Sequence, residues 1–273
     1  MTAAAGAGPA RGGAPAGILW MVLTGLCFVA VNALVKSLGP GIPAAQSAFL
    51  RFAFGVLFLA PALLSVARTG LPAGTGPLFA LRGLVHVAAV CLWFFAMARL
   101  PVSEAVAIGY LNPVLVTLGA VLVFGERLDG RRLAALAVAG LGALVILRPG
   151  LREVTPAHLA QVGAALAFAA SYLCAKRLGQ RASPAAVVAM LSVTVTLGLA
   201  PLATAVWVPV TGREVAILAA VAAFATAAHY AMMRAFAAAP LSATQPVVFL
   251  QVIWAAGLDL FVFGKGVDPL VIL

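Results

Sequence analysis

The sequence predicts an all-α polytopic membrane protein: a ten-helix-type bundle of two inverted five-helix repeats, with the tenth helix truncated. Three observations lead to this prediction. Hydrophobic residues make up 64% of the chain and charged residues 9%, against about 25% charged in soluble domains, and the mean hydropathy is +1.14. Apolar runs long enough to cross a bilayer follow one another with short connections. The second half of the chain repeats the pattern of the first.

The apolar runs define the spans and the domain boundaries. The connections are short and carry Gly, Pro and Arg, so we expect no inserted soluble domain. Residues 1–16 are predicted to be a short disordered tail, residues 17–150 the first repeat and residues 151–273 the second. The predicted spans cover residues 17–36, 44–66, 77–99, 102–124, 130–148, 158–176, 184–206, 214–237 and 242–263, and a tenth begins near residue 267.

The repeat is visible as matching residues at a fixed spacing. A shift of 139 residues pairs Tyr110 with Phe249 and Asn112 with Gln251. Each copy holds five spans, an odd number, so the second copy must enter the membrane from the opposite side. Inverted copies of this kind place a shared site near the midplane between them.

The repeat also sets an expectation for the end of the chain. Leu273 aligns with Ala134, so the sequence stops about seven residues into the tenth span. Either the sequence is truncated, or the last helix has been lost in this protein.

The distribution of lysine and arginine favours a cytoplasmic N-terminus. With that orientation, ten basic residues lie at inner ends of spans and six at outer ends, and positive charge accumulates on the cytoplasmic side. We therefore predict a multi-pass protein of the cell inner (plasma) membrane. The basic residues are scattered between apolar runs, so no nucleic-acid partner is expected. Cys27, Cys91 and Cys174 each lie inside an apolar run and show neither a disulfide framework nor metal-ligand spacing.

The fourth span departs from plain Leu, Val and Ala at its centre. Gly109, Tyr110, Asn112 and Pro113 interrupt the run there. Pro113 has no backbone N–H, so the carbonyl of Gly109 loses its helical partner. Such an interruption is tolerated in lipid only where the helix faces protein or a wet cavity.

The residues from Phe94 to Gly150 resemble the EamA repeat of the drug/metabolite transporter (DMT) superfamily. The resemblance rests on the alanine-rich end of the third span, the central Asn112-Pro113, the Gly-Glu-Arg-Leu exit of the fourth span and the glycine-rich fifth span. The second repeat matches more loosely, because Lys265 stands where the family has a glutamate after Gly264. The fourth span is also similar to the subgroup that includes riboflavin and S-adenosylmethionine carriers.

The resemblance implies a ten-helix inner-membrane carrier that moves a small metabolite, such as an amino acid, a vitamin or a nucleotide-like cofactor, by alternating access. The central cavity would lie between the two repeats. A channel is the alternative, and so is an intramembrane enzyme acting on a lipid-soluble or amphipathic substrate. Against an enzyme, the sequence shows no H-E-x-x-H, no G-x-S-x-G and no acidic pair within one span. We expect no catalytic residue, no metal, no cofactor, and a monomer or homodimer with a small molecule and the lipid bilayer as partners.

Asn112 and Gln251 are the first candidates for substrate binding. Each lies near the middle of its span at equivalent positions of the two repeats, where an amide needs a partner or water. The alternative is a hydrogen bond between helices.

Other polar and aromatic side chains within spans complete the prediction. His229 and Tyr230 lie in the middle of the eighth span, and Arg51 lies within the second, where it either binds a substrate or extends to the interface. The remaining predicted substrate-binding residues are Tyr110, Trp93, Trp254 and Phe249, whose rings either line a cavity or only pack. A gating or structural role is predicted for Pro113, Glu104, Arg82 and Glu126, with Glu126 forming a latch with Arg131 or Arg132.

Overall fold

The computed structural model describes residues 13–39, 41–97, 99–100, 108–128, 154–251 and 253–254, with isolated helical positions between residues 130 and 141. Helices dominate these residues, and none of them lies in a strand. The all-α membrane class predicted from composition is confirmed.

The first span is the helix α1, Gly13–Leu38. It begins at Gly13, so the helix takes in the last four residues of the segment predicted as a tail. Residues 1–12 lie outside the described residues.

The second span is bent, which the sequence analysis did not predict. Helix α2 covers Ala44–Phe58, helix α3 covers Ala60–Thr69, and the two meet at an angle of 64°. Pro61 lies in the first turn of α3, where its missing N–H needs no partner. The chain therefore ends one helix and starts another at Leu59.

The third and fourth spans flank a segment outside the described residues, 101–107, which includes Glu104. Helix α4 is Gly76–Met97 and helix α5 is Leu111–Phe124. Ile108 and Gly109 are helical, but the helix is interrupted by a turn at Tyr110. The interruption predicted from Pro113 is thus present. At its other end α5 stops at Gly125, whose φ of 66° is left-handed.

The second half of the chain supplies three long helices: α6, Pro156–Leu178; α7, Pro184–Ala205; and α8, Gly212–Ala238. Thr155, Ser183 and Thr211 occupy their N-cap positions. These boundaries agree with the sixth, seventh and eighth predicted spans.

The ninth span begins as a short helix, α9, Leu241–Thr244, followed by a 3₁₀ helix, Gln245–Phe249. Residues 255–273, and with them the predicted truncation of the tenth span, lie outside the described residues. Within the described part of the chain, α1, α4, α6, α7 and α8 are long and apolar enough to cross a membrane, and the bent pair α2–α3 makes a sixth.

The long helices pack in pairs, and each pair joins a helix of the first half of the chain to one of the second half. Helix α1 packs along α8, and α4 packs along α6. Helix α2 packs against α7, while α4 also contacts α7 and α8 also contacts α2. The largest buried cluster joins side chains of α1, α4, α5, α6, α7 and α8, among them Met21, Phe79, Val116, Leu178, Val187 and Phe236.

The contact between α4 and α7 requires glycine on both helices. A Cβ at Gly83 would lie 2.6 Å from Cβ of Thr194, and a Cβ at Gly198 would lie 2.5 Å from Cγ2 of Val87. Glycine lets the two backbones approach closely, which is a common basis of helix association in membranes.

We expect Gly83→Ala to lower the free energy of unfolding by about 1–3 kcal/mol, because the new methyl group overpacks the contact with Thr194. Thermal melting of the purified protein in detergent measures the change. Gly212→Ala is the matched control, since a Cβ there meets no heavy atom within 4 Å. Equal melting temperatures for the two variants would contradict the close α4–α7 contact.

Candidate functional site

Four basic side chains from three helices gather inside the bundle: Arg51 of α2, Arg82 and His86 of α4, and His229 of α8. Nη2 of Arg51 lies 3.1 Å from Nε2 of His229, and the rings of His86 and His229 are 6.0 Å apart between centroids. Arg82 lies one turn before His86, on the same face of α4. We call these four residues the basic cluster.

The contact between Arg51 and His229 fixes the tautomer of the imidazole. A guanidinium only donates hydrogen bonds, so Nε2 of His229 is the acceptor and the ring proton is on Nδ1. That Nδ1 is buried, and it has no hydrogen-bond partner among the described residues. His229 therefore presents one unused donor inside the bundle.

Arg82 presents two more. Its side chain is 1% exposed, and Nη1 donates to the carbonyl oxygen of Val187 on α7 at 2.7 Å. Within the described part of the chain, Nε and Nη2 have no hydrogen-bond partner. One face of a fully buried guanidinium is thus bonded and another is not.

His86 connects the cluster to α6. Its Nδ1 lies 3.0 Å from Oγ of Ser171. The rings of Phe52 and Phe168 meet it edge to face at centroid distances of 6.0 and 5.2 Å. Sequence reasoning did not select His86, although the signal was present: it lies mid-span, one turn from Arg82, as His229 lies mid-span in α8.

No carboxylate of the described residues neutralises the basic cluster. The acidic side chains in the described ranges are Glu126 and Glu214, and both bind backbone N–H groups at helix N-termini. Oε2 of Glu214 accepts from the N–H of Thr211 at 2.7 Å, and Glu126 is described below. The same part of the chain holds no group of three or more His, Cys, Asp or Glu placed to bind a metal ion.

A small cavity adjoins the cluster. Arg51 and His229 line it together with Phe52, Ser192 and Thr226. Its volume of about 10 Å³ has room for roughly one water molecule. Polar groups from α2, α7 and α8 therefore converge on one enclosed space.

The predicted residues Asn112 and Gln251 lie outside this cluster, each against a different helix. Nδ2 of Asn112 donates to the carbonyl oxygen of Ala165 on α6 at 3.0 Å, the helix–helix bond considered as its alternative. Gln251 packs on α1, where a Cβ at Gly25 would lie 3.0 Å from its Cγ. Trp254 touches the same place, at 2.7 Å from that Cβ position.

The predicted aromatic residues separate into two groups. Tyr110 and Phe249, which the predicted repeat pairs, face each other with ring centroids 5.5 Å apart. Trp93 packs on Phe94 of its own helix at 5.0 Å. Tyr230 follows His229 but accepts a 3.4 Å hydrogen bond from Nη1 of Arg234, so the structure does not place it with the cluster.

Two predicted structural residues belong to helix ends. Pro113 is buried in the first turn of α5, and its carbonyl oxygen accepts from the hydroxyl of Thr117 at 2.8 Å. Glu126 lies beyond the other end of α5, where its two carboxylate oxygens accept from the N–H groups of Leu241 and Ser242, each at 2.9 Å.

Glu126 therefore binds the backbone at the start of α9, and its pairing with Arg131 or Arg132 stays a prediction. Leu241 and Ser242 open α9, so the carboxylate binds at a helix N-terminus, where the helix dipole favours negative charge. Arg131 and Arg132 lie outside the described residues. Nearby, Nζ of Lys176 donates to the carbonyl oxygens of Phe236 and Ala239, the latter at 2.7 Å.

Apolar helices that surround a buried cluster of ionisable side chains are typical of integral membrane proteins with a functional site inside the bundle. The profile of the EamA-like transporter family matches residues 15–148. A riboflavin transporter of Rhizobium johnstonii is 34% identical over 243 residues, covering 84% of this chain and 77% of that protein. An S-adenosylmethionine uptake transporter of Rickettsia prowazekii is 23% identical, covering 92% of this chain and 86% of that protein.

The fold is shared with known structures, among them a solved crystal structure. That structure superposes with a TM-score of 0.75 at 18% identity and covers 94% of this chain and 92% of the other. The chain belongs to the EamA-like transporter family of the drug/metabolite transporter superfamily. The resemblance drawn from Phe94–Gly150 is confirmed, and the protein is a transporter rather than an enzyme.

We expect Asn112→Ala to lower the melting temperature, because the change removes the hydrogen bond between α5 and the Ala165 carbonyl. The loss in free energy of unfolding should be about 0.5–1.5 kcal/mol. Thr204→Ala is the control, since the exposed hydroxyl of Thr204 bonds only carbonyls of its own helix. A melting temperature for Asn112→Ala equal to that of the control would contradict the role of this bond in joining α5 to α6.

Proposed function

We propose that the protein carries a small organic metabolite by alternating access, with the substrate bound at the basic cluster between two inverted repeats. The observation that carries the proposal is the set of buried donors on Arg82 and His229, which find no acceptor among the described residues. In a membrane bundle, buried charged side chains mark substrate pathways. The relatives named as riboflavin and S-adenosylmethionine transporters support a small organic metabolite as the substrate.

The packing of the helices supports the inverted repeat. If α1, α2 and α4 correspond to α6, α7 and α8, the contact of α1 with α8 is the counterpart of the contact of α6 with α4. The contact of α2 with α7 then lies across the axis that relates the repeats. Tyr110 and Phe249 behave likewise, because equivalent residues meet each other only close to such an axis.

The interactions of Glu126 and Lys176 support a gate at one end of the bundle. We call them the latch: Glu126 with the N–H groups of Leu241 and Ser242, and Lys176 with the carbonyls of Phe236 and Ala239. The latch ties the end of α5 and the end of α6 to the turn between α8 and α9. If the protein lies in the inner membrane with its N-terminus in the cytoplasm, as the sequence predicts, the latch is at the cytoplasmic end of the bundle.

The cavity beside Arg51 and His229 has room for about one water molecule. A metabolite therefore enters only when helices separate. We propose that they separate at the latch, where the bonds to be broken lie at helix ends. Asn112, Gln251 and the Tyr110–Phe249 pair lie further along the fourth and ninth spans, the two spans that Glu126 joins. They would contact the substrate on its way to the cluster, while Trp93, Tyr230 and Trp254 shape the surrounding walls. A channel remains the alternative.

The test uses a thiol reporter in the cavity and needs no known substrate. Ser192→Cys is introduced after Cys27, Cys91 and Cys174 have been changed to alanine, and a membrane-impermeant thiol reagent is applied to each side of oriented vesicles. Glu126→Gln removes the charge from the latch bonds, which we expect to weaken them by about 1–2 kcal/mol and to shift the populations roughly 5- to 30-fold.

For a carrier, labelling from the Glu126 side should rise several-fold in Glu126→Gln, while labelling from the opposite side falls. Glu214→Gln is the control, because Glu214 caps its own helix at Thr211. Its labelling should match that of the parent. Labelling that rises on both sides together would contradict alternating access and would favour a channel.

A further inference from the structure

The three buried nitrogen atoms of the basic cluster that have no hydrogen-bond partner among the described residues are all donors. Arg82 contributes Nε and Nη2, and His229 contributes Nδ1. The guanidinium always donates, and the Arg51 bond leaves Nδ1 of His229 with the ring proton. These three protein donors match a ligand group that only accepts hydrogen bonds. They do not match a neutral group that both donates and accepts.

The unbonded edge of Arg82 has the geometry of a carboxylate receptor. Nε and Nη2 lie on the same edge of the planar guanidinium, and their two N–H bonds are parallel. This fork matches two oxygen atoms of a carboxylate or phosphate in a bidentate pair. Nη1, which bonds the Val187 carbonyl, lies on the other side of the group, so that bond orients the fork without occupying it.

We infer that the transported metabolite carries a carboxylate or phosphate group, and that the Nε–Nη2 edge of Arg82 and the Nδ1–H of His229 bind it. The inference rests on the proposed function and specifies the substrate class of the same site. Arg51 takes a positioning role, because its bond to Nε2 sets the His229 tautomer. His86 lies one helical turn from Arg82 and 6.0 Å from the ring of His229 between centroids, and it is anchored to Ser171.

Burial decides which source of anion the site takes. Arg82 is 1% exposed and His229 5% exposed, and Arg82 is bonded to α7 inside the helix bundle. A lipid headgroup at the bilayer surface does not reach them, whereas a soluble metabolite that enters the central cavity does. The rings of Phe52 and Phe168 beside His86 suit an apolar or flat portion adjoining the anionic group.

The probes are benzoate, phenyl phosphate and benzamide, added to the purified full-length protein at constant ionic strength set with sodium chloride. Benzoate and benzamide share shape and differ in charge. A ligand that binds the folded state raises the melting temperature by mass action. We expect benzoate or phenyl phosphate to stabilise the wild-type protein and benzamide to have no effect. Stabilisation by benzamide equal to that by both anions overturns the inference.

The variants separate binding from folding. Arg82→Met retains much of the volume without the charge, and we expect it to bind the anion roughly 10- to 100-fold more weakly. Arg82→Lys retains the charge without the fork, so its affinity for the anion should lie between that of the wild type and that of Arg82→Met. Arg99→Met is the matched control. Arg99 follows α4, is exposed, and donates to the carbonyl oxygen of Phe95 in that helix. The Arg99→Met variant should bind the anion as the wild type does.

Stability without added anion tests the structural alternative. If Arg82 is a ligand-binding residue, removal of a buried and half-bonded charge leaves the melting temperature of Arg82→Met equal to that of the wild type or raises it. A fall in that temperature together with unchanged anion binding makes Arg82 a tie between α4 and α7, and overturns the inference. If Arg82→Met fails to fold, the wild-type probe pair and Arg82→Lys decide.

The outcome is separable from that of the proposed function. Reciprocal labelling of Ser192→Cys without any selective effect of the anions would leave the carrier standing and would remove the anionic substrate class. Labelling that rises on both sides together would remove the carrier whatever the anions do. In the supporting case, the anion at ten times its dissociation constant should also slow the labelling of Ser192→Cys roughly tenfold.

Discussion

The structure depends on the free-energy cost of keeping arginine inside a membrane bundle. A guanidinium stays charged under ordinary conditions, and the loss of its hydration costs several kcal/mol per ion. Arg82 regains one hydrogen bond, which it donates to the carbonyl oxygen of Val187. Arg51 regains one from His229 and lies 4.3 Å from the centre of the Phe52 ring. Neither meets a carboxylate among the described residues. Such a cluster is poor as a stabilising feature and well suited to a ligand with negative charge.

The contacts around the cluster differ in how much free energy it would cost to break them. Close packing at Gly83 and Gly198 fixes α4 against α7, and this contact sets the position of Arg82 relative to the Val187 carbonyl. At the latch, by contrast, Glu126 and Lys176 bind backbone groups at helix ends, and both side chains are only partly buried. Water can replace those bonds when they break, so the latch opens at a smaller cost than a contact within the core.

Sequence reasoning predicted the first, third, sixth, seventh and eighth spans well, because apolar length is a direct requirement of the bilayer. The turn at Tyr110 was signalled by Pro113. Arg51 and His229 were predicted to bind substrate and Arg82 to have a gating or structural role, because ionisable groups within spans are usually functional. The bend at Leu59 was missed because the apolar run continues through it and hydropathy carries no direction. The matching depths of Asn112 and Gln251 were read from the repeat, yet depth does not determine which face of a helix a residue occupies. The partners of Glu126 lie more than a hundred residues away, beyond any local spacing.

The central claim is that an anionic group lies against Arg82 and His229, and an anomalous diffraction measurement tests it directly. Crystals of the protein soaked in 4-bromobenzoate place a strong scatterer at a fixed distance from the carboxylate. We expect a bromine peak inside the bundle, near the rings of Phe52 and Phe168, with the carboxylate bidentate on Nε and Nη2 of Arg82. We also expect no such peak in crystals of Arg82→Met. A peak confined to the protein surface, or an Arg82 edge occupied by a carboxylate of the chain itself, would contradict the claim.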